Sequence, residues 1–111
     1  MNKLWKSCER AIAKKIGGKR NPITGRQRGD VADIEHEILS PEIKHRNKLP
    51  GWLHDAMAQA IASVKKSEQT PIVILHEKGK DHDNDYLLIR LGDFCKIGPE
   101  EYLKKLREAG L

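Results

Sequence analysis

Residues 29–46, GDVADIEHEILSPEIKHR, decide how this chain is expected to fold. From Asp33 to Ile38, acidic side chains occupy odd positions and isoleucines occupy even positions, so an extended chain would separate them onto two faces. The acidic face holds Asp33, Glu35 and Glu37, and the apolar face holds Ile34 and Ile38. A period of two is typical of half-buried strands. We therefore predict that Val31 to Arg46 forms a pair of strands.

Amphipathic helices are predicted on both sides of this stretch. Residues 3–16 space their apolar side chains by three and four positions, and Gly17-Gly18 ends the pattern. The same spacing returns after Pro50 and continues to Val64. Both patterns indicate helices that bury one face.

Two more strands and a short helix are predicted in the last third of the chain. PIVILHE (71–77) is a continuous β-branched run, which is typical of a strand buried on both faces, and DYLLIRL (85–91) is its expected hairpin partner. Gly98-Pro99 marks the start of the last helix. A proline is tolerated at the first helical position because an N–H there would have no partner within the helix. The order α, β, β, α, β, β, α predicts one α/β domain over residues 1–111.

Charge and composition favour an anionic partner. Lys and Arg number 21 against 16 Asp and Glu, which gives a net charge of +5 and favours a polyanion such as nucleic acid. No apolar run approaches the roughly 18 residues that a bilayer requires, and the N-terminus lacks the apolar core of a secretory signal. We expect a soluble, cytoplasmic protein without a membrane partner.

The acidic stretch can carry phosphodiester chemistry. A tight turn between Glu37 and Ile38 would place Asp33 opposite Glu42, with Cβ atoms about 4.5 to 5.5 Å apart, and Lys44 would share the face of Glu42. Two carboxylates this close can share a divalent cation that acidifies a bound water and stabilises charge on the phosphate. The alternative is that these charged side chains only decorate a solvated sheet face.

Three further features accompany this cluster. Glu9 borders the apolar stripe of the first helix rather than facing open water. Gln59 borders the stripe of the second helix, where it could hold a water near the site, although an ordinary flanking glutamine is an equal interpretation. The loop before Asp33 is cationic and could grip a phosphate backbone, although a surface loop without that role would look similar. Its basic residues are Lys19, Arg20, Arg26 and Arg28.

The order of these residues along the chain resembles that of the PD-(D/E)XK nucleases. It runs from Glu9 on the first helix through Asp33 in GDVAD-I to Glu42 and Lys44 in PEIK, and then to a helix with Gln59. More narrowly, three segments look like small single-domain endonucleases encoded mainly by bacteriophages, which are similar in plan to Holliday junction resolvases. The segments are EIKHRNKLPGWLHDAMAQA (42–60), TPIVILHEKGKD (70–81) and LLIRLGDF (87–94). The likeness extends over about residues 5 to 94.

The resemblance implies a fold and a set of roles. The fold would be a mixed sheet flanked by helices, with the restriction-endonuclease-like αβββαβ core. Asp33 and Glu42 would bind Mg²⁺ or Mn²⁺, Glu9 would complete the metal site, and Lys44 would assist the attacking water. Gln59 would support catalysis. The expected DNA contacts are Lys19, Arg20, Arg26, Arg28, His45 and Arg46.

The resemblance predicts a metal-dependent DNA endonuclease, acting in the cytoplasm of a bacterial host if a phage encodes it. A preference for branched DNA would require two symmetric cuts and hence a homodimer. Ala32 stands where the name-giving proline would be, and Pro41 replaces the usual apolar residue before the E-x-K acid, which predicts an edge or a bulge. A nuclease that nicks or degrades DNA without junction preference, and a non-catalytic DNA-binding module, are the alternatives.

Two other metal patterns are rejected on spacing. The stretch 81–85 lacks the later glycine and glutamate of a calcium loop, and the histidines have no zinc-site spacing. His45 and His76 lie at predicted strand ends, where contact with substrate is conceivable but a surface role is the simpler interpretation.

Overall fold

The computed structural model describes residues 3–21 and 32–110, which form an α/β protein with four α-helices and two antiparallel two-stranded sheets. The elements are α1 (Lys3–Ile16), β1 (Lys19–Arg20), β2 (Ile34–Glu35), α2 (Gly51–Ala62), β3 (Ile72–Leu75), the 3₁₀ helix η1 (His82–Asn84), β4 (Tyr86–Ile89), α3 (Leu91–Ile97) and α4 (Pro99–Glu108). The chain divides into two units, Met1–Asn47 and Lys48–Leu111. The α/β class is confirmed, whereas a single domain and the αβββαβ core stay predictions.

Helix α1 of the first unit has the predicted bounds. The predicted apolar stripe is only partly buried, because Ile12 is half-buried and Leu4 is 76% exposed, whereas Ala13, outside the predicted stripe, is buried. Gly17 takes a φ of 75°, which favours glycine, and Gly18 N donates to the Ala13 carbonyl at 2.8 Å. These contacts end the helix and direct the chain into β1.

The first sheet differs from the predicted strand pair. β2 pairs with β1, with Arg20 opposite Ile34, and no ladder joins residues 32–46 to one another in the described chain. The predicted pairing within Val31 to Arg46 is therefore wrong. One physical reason is Pro41, which lacks an N–H for a ladder. Another is that His36 binds the backbone of its own loop and so replaces the expected tight turn.

The second unit contains the predicted helix and hairpin. α2 follows Pro50 and contacts β3, and β3 pairs with β4 in the register Ile72 to Ile89 and Leu75 to Tyr86. The expectation that this strand is buried on both faces is wrong, because Ile74 is 62% exposed. Burial alternates along β3, as expected for a sheet that a helix covers on one side.

Two helices end the second unit, and the sequence predicted only the second of them. The strand predicted to reach Leu91 ends at Ile89, and α3 begins at Leu91. Arg90 Nε donates to Asp93 Oδ2 at 2.9 Å across the first turn of α3, and an acid there also interacts favourably with the helix dipole. α4 begins at Pro99, as predicted. No helix within the described ranges has the length and apolar character needed to cross a membrane.

Candidate active site

Glu9 is a fully buried acid on the inner face of α1, with 0% of its surface exposed. Arg20 Nε, from β1, donates to Glu9 Oε1 at 2.9 Å, and the Arg20 side chain is only 17% exposed. The Arg20 guanidinium also lies 5.8 Å from the ring centroid of Trp5. Because burying a carboxylate is costly, the Arg20 guanidinium stabilises Glu9 by supplying an opposite charge.

Asp33 is the second buried acid and is 4% exposed. Its carbonyl accepts from Asn21 N at 3.0 Å, which extends the β1–β2 pairing by one position. Its N–H donates to the Pro41 carbonyl at 3.2 Å, and its Oδ2 accepts from Ile43 N at 2.7 Å. Asp33 thus ties the end of β1 and the segment 41–43 to the start of β2.

His36 shapes the loop between Asp33 and Pro41. Its Nδ1 accepts from Ile38 N and Leu39 N, each at 3.2 Å. Since Nδ1 accepts, the proton is on Nε2, which donates to the Ile16 carbonyl at 2.8 Å. The imidazole therefore connects the carbonyl of Ile16, at the end of α1, to the backbone of this loop.

Glu42 and Lys44 lie on the extended segment that Asp33 holds. Exposed and half-buried residues alternate from Pro41 to Lys44. Lys44 Nζ lies 3.2 Å from Glu42 Oε2, and the two side chains are 65% and 59% exposed. They share one face, as their spacing predicts, and a large substrate can reach both.

Asp33 lies next to the segment of Glu42 and Lys44, to which it is hydrogen-bonded. Glu9 instead accepts a hydrogen bond from Arg20. Among the described residues, Glu9, Asp33 and Glu42 do not gather three ligand atoms within 4.8 Å of one another. Carboxylate oxygens from Asp33 and Glu42 still have the hard-donor chemistry that Mg²⁺ prefers. The fit to a metal therefore rests on two acids, and Glu9 as a third ligand stays a prediction.

The predicted DNA-contacting residues have different surroundings. Arg26 and Arg28 lie outside the described residues. Lys19, His45 and Arg46 are exposed, and all three belong to the first unit. Arg20 is largely buried by its pairing with Glu9, so its Nε is already engaged within the protein.

Gln59 lies in α2 of the second unit and is exposed. Its backbone carbonyl accepts from Ser63 Oγ at 2.9 Å near the end of that helix. Its proposed support of the active site stays a prediction.

A second group of polar side chains meets at the β3–β4 hairpin, where histidine spacing predicted no site. His76 Nδ1 lies 2.7 Å from Asp85 Oδ1, and His82 Nδ1 lies 3.0 Å from Asp85 Oδ2. Hydrogen bonds to His76 and then His82 hold the pKa of the Asp85 carboxyl below its ordinary value. The predicted hairpin would have revealed part of this cluster, because pairing Leu75 with Tyr86 also sets His76 opposite Asp85.

Comparisons with protein-family models, with curated proteins and with solved structures find no match to this chain. The likeness to PD-(D/E)XK nucleases therefore stays a prediction from the quoted residues. What the protein does has to be inferred from the chemistry of its own side chains.

Proposed function

We propose that this protein is a metal-dependent DNA endonuclease that hydrolyses phosphodiester bonds. The observation that carries the proposal is the 2.7 Å hydrogen bond from Ile43 N to Asp33 Oδ2. It holds a buried carboxylate against the segment on which Glu42 and Lys44 are exposed. Two acids can hold the cation that metal-assisted phosphodiester hydrolysis needs, and an ammonium group can pair with the phosphate.

Each of these side chains has a role in the proposal. Asp33 and Glu42 hold Mg²⁺ or Mn²⁺, which when bound supplies an acidified water and neutralises charge on the phosphate. Lys44 donates from its ammonium group to a phosphate oxygen or to the attacking water. Because Glu42 and Lys44 are exposed, a DNA backbone can approach them without opening the fold.

DNA binding is supported by the charge of the chain. The net charge is +5, and the exposed Lys19, His45 and Arg46 belong to the same unit as Asp33. Contacts of this kind bind the phosphate backbone without reading sequence and weaken as salt rises. Within this proposal, branched DNA such as a four-way junction is the favoured substrate and a two-fold symmetric homodimer the favoured assembly.

The test is cleavage of plasmid DNA and of end-labelled four-way junctions with Mg²⁺. Glu42→Gln and Lys44→Met should each slow cutting by about 100-fold or more, the scale expected for loss of a positioned catalytic group. Glu37→Gln is the matched control, since Glu37 is an exposed acid of the neighbouring loop. If each of the three single variants Glu42→Gln, Lys44→Met and Asp33→Asn cuts DNA as fast as the parent, the assignment is removed.

Non-catalytic DNA binding is the best supported of the alternatives. Glu9 and Asp33 each accept a hydrogen bond from within the protein, as expected of acids with a structural role. Calorimetry with Mn²⁺ separates the two functions. It is run on the His76→Ala variant so that the hairpin histidines do not contribute. The nuclease should bind Mn²⁺ in a way that Asp33→Asn abolishes, whereas a binding module should show no such heat. Competition between linear and branched DNA then separates a junction-selective enzyme from a general nicking nuclease.

A further inference from the structure

The β3–β4 hairpin gathers three ligating side chains that the proposed nuclease chemistry does not use. The last ladder pair is Leu75 with Tyr86, so His76 and Asp85 form the next opposed pair beyond the sheet. His82 lies three residues before Asp85, at the start of η1. In a 3₁₀ helix the positions i and i+3 eclipse, which brings His82 over Asp85.

The three side chains point at one another. Each imidazole presents Nδ1 to a different oxygen of Asp85, at 2.7 Å for His76 and 3.0 Å for His82. The two rings stack with centroids 4.3 Å apart and an interplanar angle of 29°. One ligand atom from each of the three residues lies within 4.8 Å of those of the other two. Two nitrogen donors and one carboxylate therefore converge on one small region at the end of the hairpin.

We propose that His76, His82 and Asp85 form a binding site for a divalent transition-metal ion of the Zn²⁺ class. Imidazole nitrogen and carboxylate oxygen are donors that Zn²⁺ takes at about 2.0 to 2.2 Å. Two imidazoles disfavour Mg²⁺ and Ca²⁺, which take oxygen ligands. A cation would take the place of the two Nδ1–Asp85 hydrogen bonds, with each imidazole carrying its proton on Nε2 and with the three side chains moved slightly apart.

The surroundings give the ion access and a favourable charge. A cavity of about 510 Å³ is lined by His76 and Asp85, and it can supply water to the position that three protein ligands leave open. Residues 76–85 contain four carboxylates and two lysines, although the whole chain is positive. Lys80 also lines the cavity, and its positive charge repels a cation. The four carboxylates of this segment outnumber its two lysines, so the net local charge still favours a cation.

The connection that carries the ligands has defined hydrogen bonds. Gly79 takes a φ of 86° within the turn. The Asp81 side chain accepts from Asp83 N at 3.2 Å, and Asp85 N donates to the His82 carbonyl at 3.0 Å. Backbone bonds that do not involve the ligating atoms therefore place His82 and Asp85, which lowers the ordering cost of binding.

Calorimetric titration with Zn²⁺ alone tests the proposal, on the untagged, chelator-treated full chain carrying Glu42→Gln, so that the proposed nuclease metal site does not contribute. We expect one Zn²⁺ per chain. His76→Ala, His82→Ala and Asp85→Asn should each weaken binding by about 100-fold or more, since losing even an outer-shell partner costs 10- to 100-fold. The matched controls are His54→Ala and Asp55→Asn, which change exposed residues outside the cluster and should leave the affinity unchanged.

Histidine ring NMR provides a readout that a structural role would not move. Stoichiometric Zn²⁺ should shift the ring signals of His76 and His82 and leave those of His45 and His54 in place. Absence of binding, or binding that survives both His82→Ala and Asp85→Asn, would overturn the proposal and leave a hydrogen-bonded clasp. Circular dichroism checks that each variant is folded. If His76→Ala unfolds, His82→Ala tests the proposal instead, because the His82 side chain is exposed. No DNA is present, so failure here is distinct from failure of the nuclease.

Discussion

The buried pair of Glu9 and Arg20 offers the sharpest test of how the first unit is held together. Arg20→Met removes the guanidinium and keeps an apolar stem, which takes the Arg20 charge away from a Glu9 carboxylate that is 0% exposed. Breaking a buried pair from one side costs about 3 to 5 kcal/mol. Since Arg20 is 17% exposed and water can enter in its place, we expect the lower end, about 3 kcal/mol.

A double substitution separates the charge effect from loss of packing. Replacing both partners in Glu9→Met with Arg20→Met removes the buried charge altogether, and such replacements are often neutral or stabilising. The double variant should therefore be more stable than Arg20→Met, with a coupling free energy of about 2 kcal/mol or more. Lys19→Met is the matched control, because Lys19 is the exposed neighbour of Arg20 in β1.

Urea unfolding followed by tryptophan fluorescence measures these differences. A Trp52→Phe background leaves Trp5 of the first unit as the reporter. With an m-value of about 1.5 kcal/mol/M, a loss of 3 kcal/mol lowers the midpoint by about 2 M. The reasoning is refuted if Arg20→Met lies within about 1 kcal/mol of the parent, or if the double variant is no more stable than Arg20→Met.

Three other substitutions test the first unit. His36→Ala removes the ring that bonds Ile16, Ile38 and Leu39 and should cost about 1 to 3 kcal/mol in the same urea assay; an unchanged midpoint would contradict the bridging role. Gly18→Ala should cost about 1 to 3 kcal/mol, because its Cβ would lie 2.6 Å from Ile34 Cγ2 and 2.8 Å from the Glu35 carbonyl. Gly51→Ala is its control, since a Cβ there meets nothing within 4 Å, and equal losses at both positions would argue against the close contact. Glu42→Gln should change stability by less than about 1 kcal/mol, as expected for an exposed ion pair; a larger loss would mean that its slower DNA cutting reflects unfolding.

Periodicity in the sequence predicted the helices α1 and α2, a continuous β-branched run and its partner predicted the β3–β4 hairpin, and Gly98-Pro99 predicted the start of α4. α1 and α2 have apolar stripes over three or more turns, and β3 is a compact β-branched run. Local spacing determines such elements because each buries one face against a neighbour. α3 was missed because seven residues are too few to show a helical period.

The candidate active site was predicted in composition but not in arrangement. Their spacing of two residues in an extended segment placed Glu42 and Lys44 on one face, and the salt bridge of these two residues agrees with that placement. Their connection to Asp33 depends on the Ile43 N–H, which spacing alone does not reveal. The pairing of Glu9 with Arg20 joins residues eleven positions apart, and only the approach of α1 to β1 creates it.

The sequence by itself determined the residue types available for chemistry, the basic charge and the longer periodic elements, because these depend on composition and on neighbours within a few turns. The tertiary structure decided that Arg20 neutralises Glu9, that β2 pairs with β1, and that His82 meets His76 across the hairpin. The physical reason is that burial and side-chain pairing depend on which distant segments approach. A hydrogen bond is directional and has a range of about 3 Å, so small changes of register exchange one partner for another.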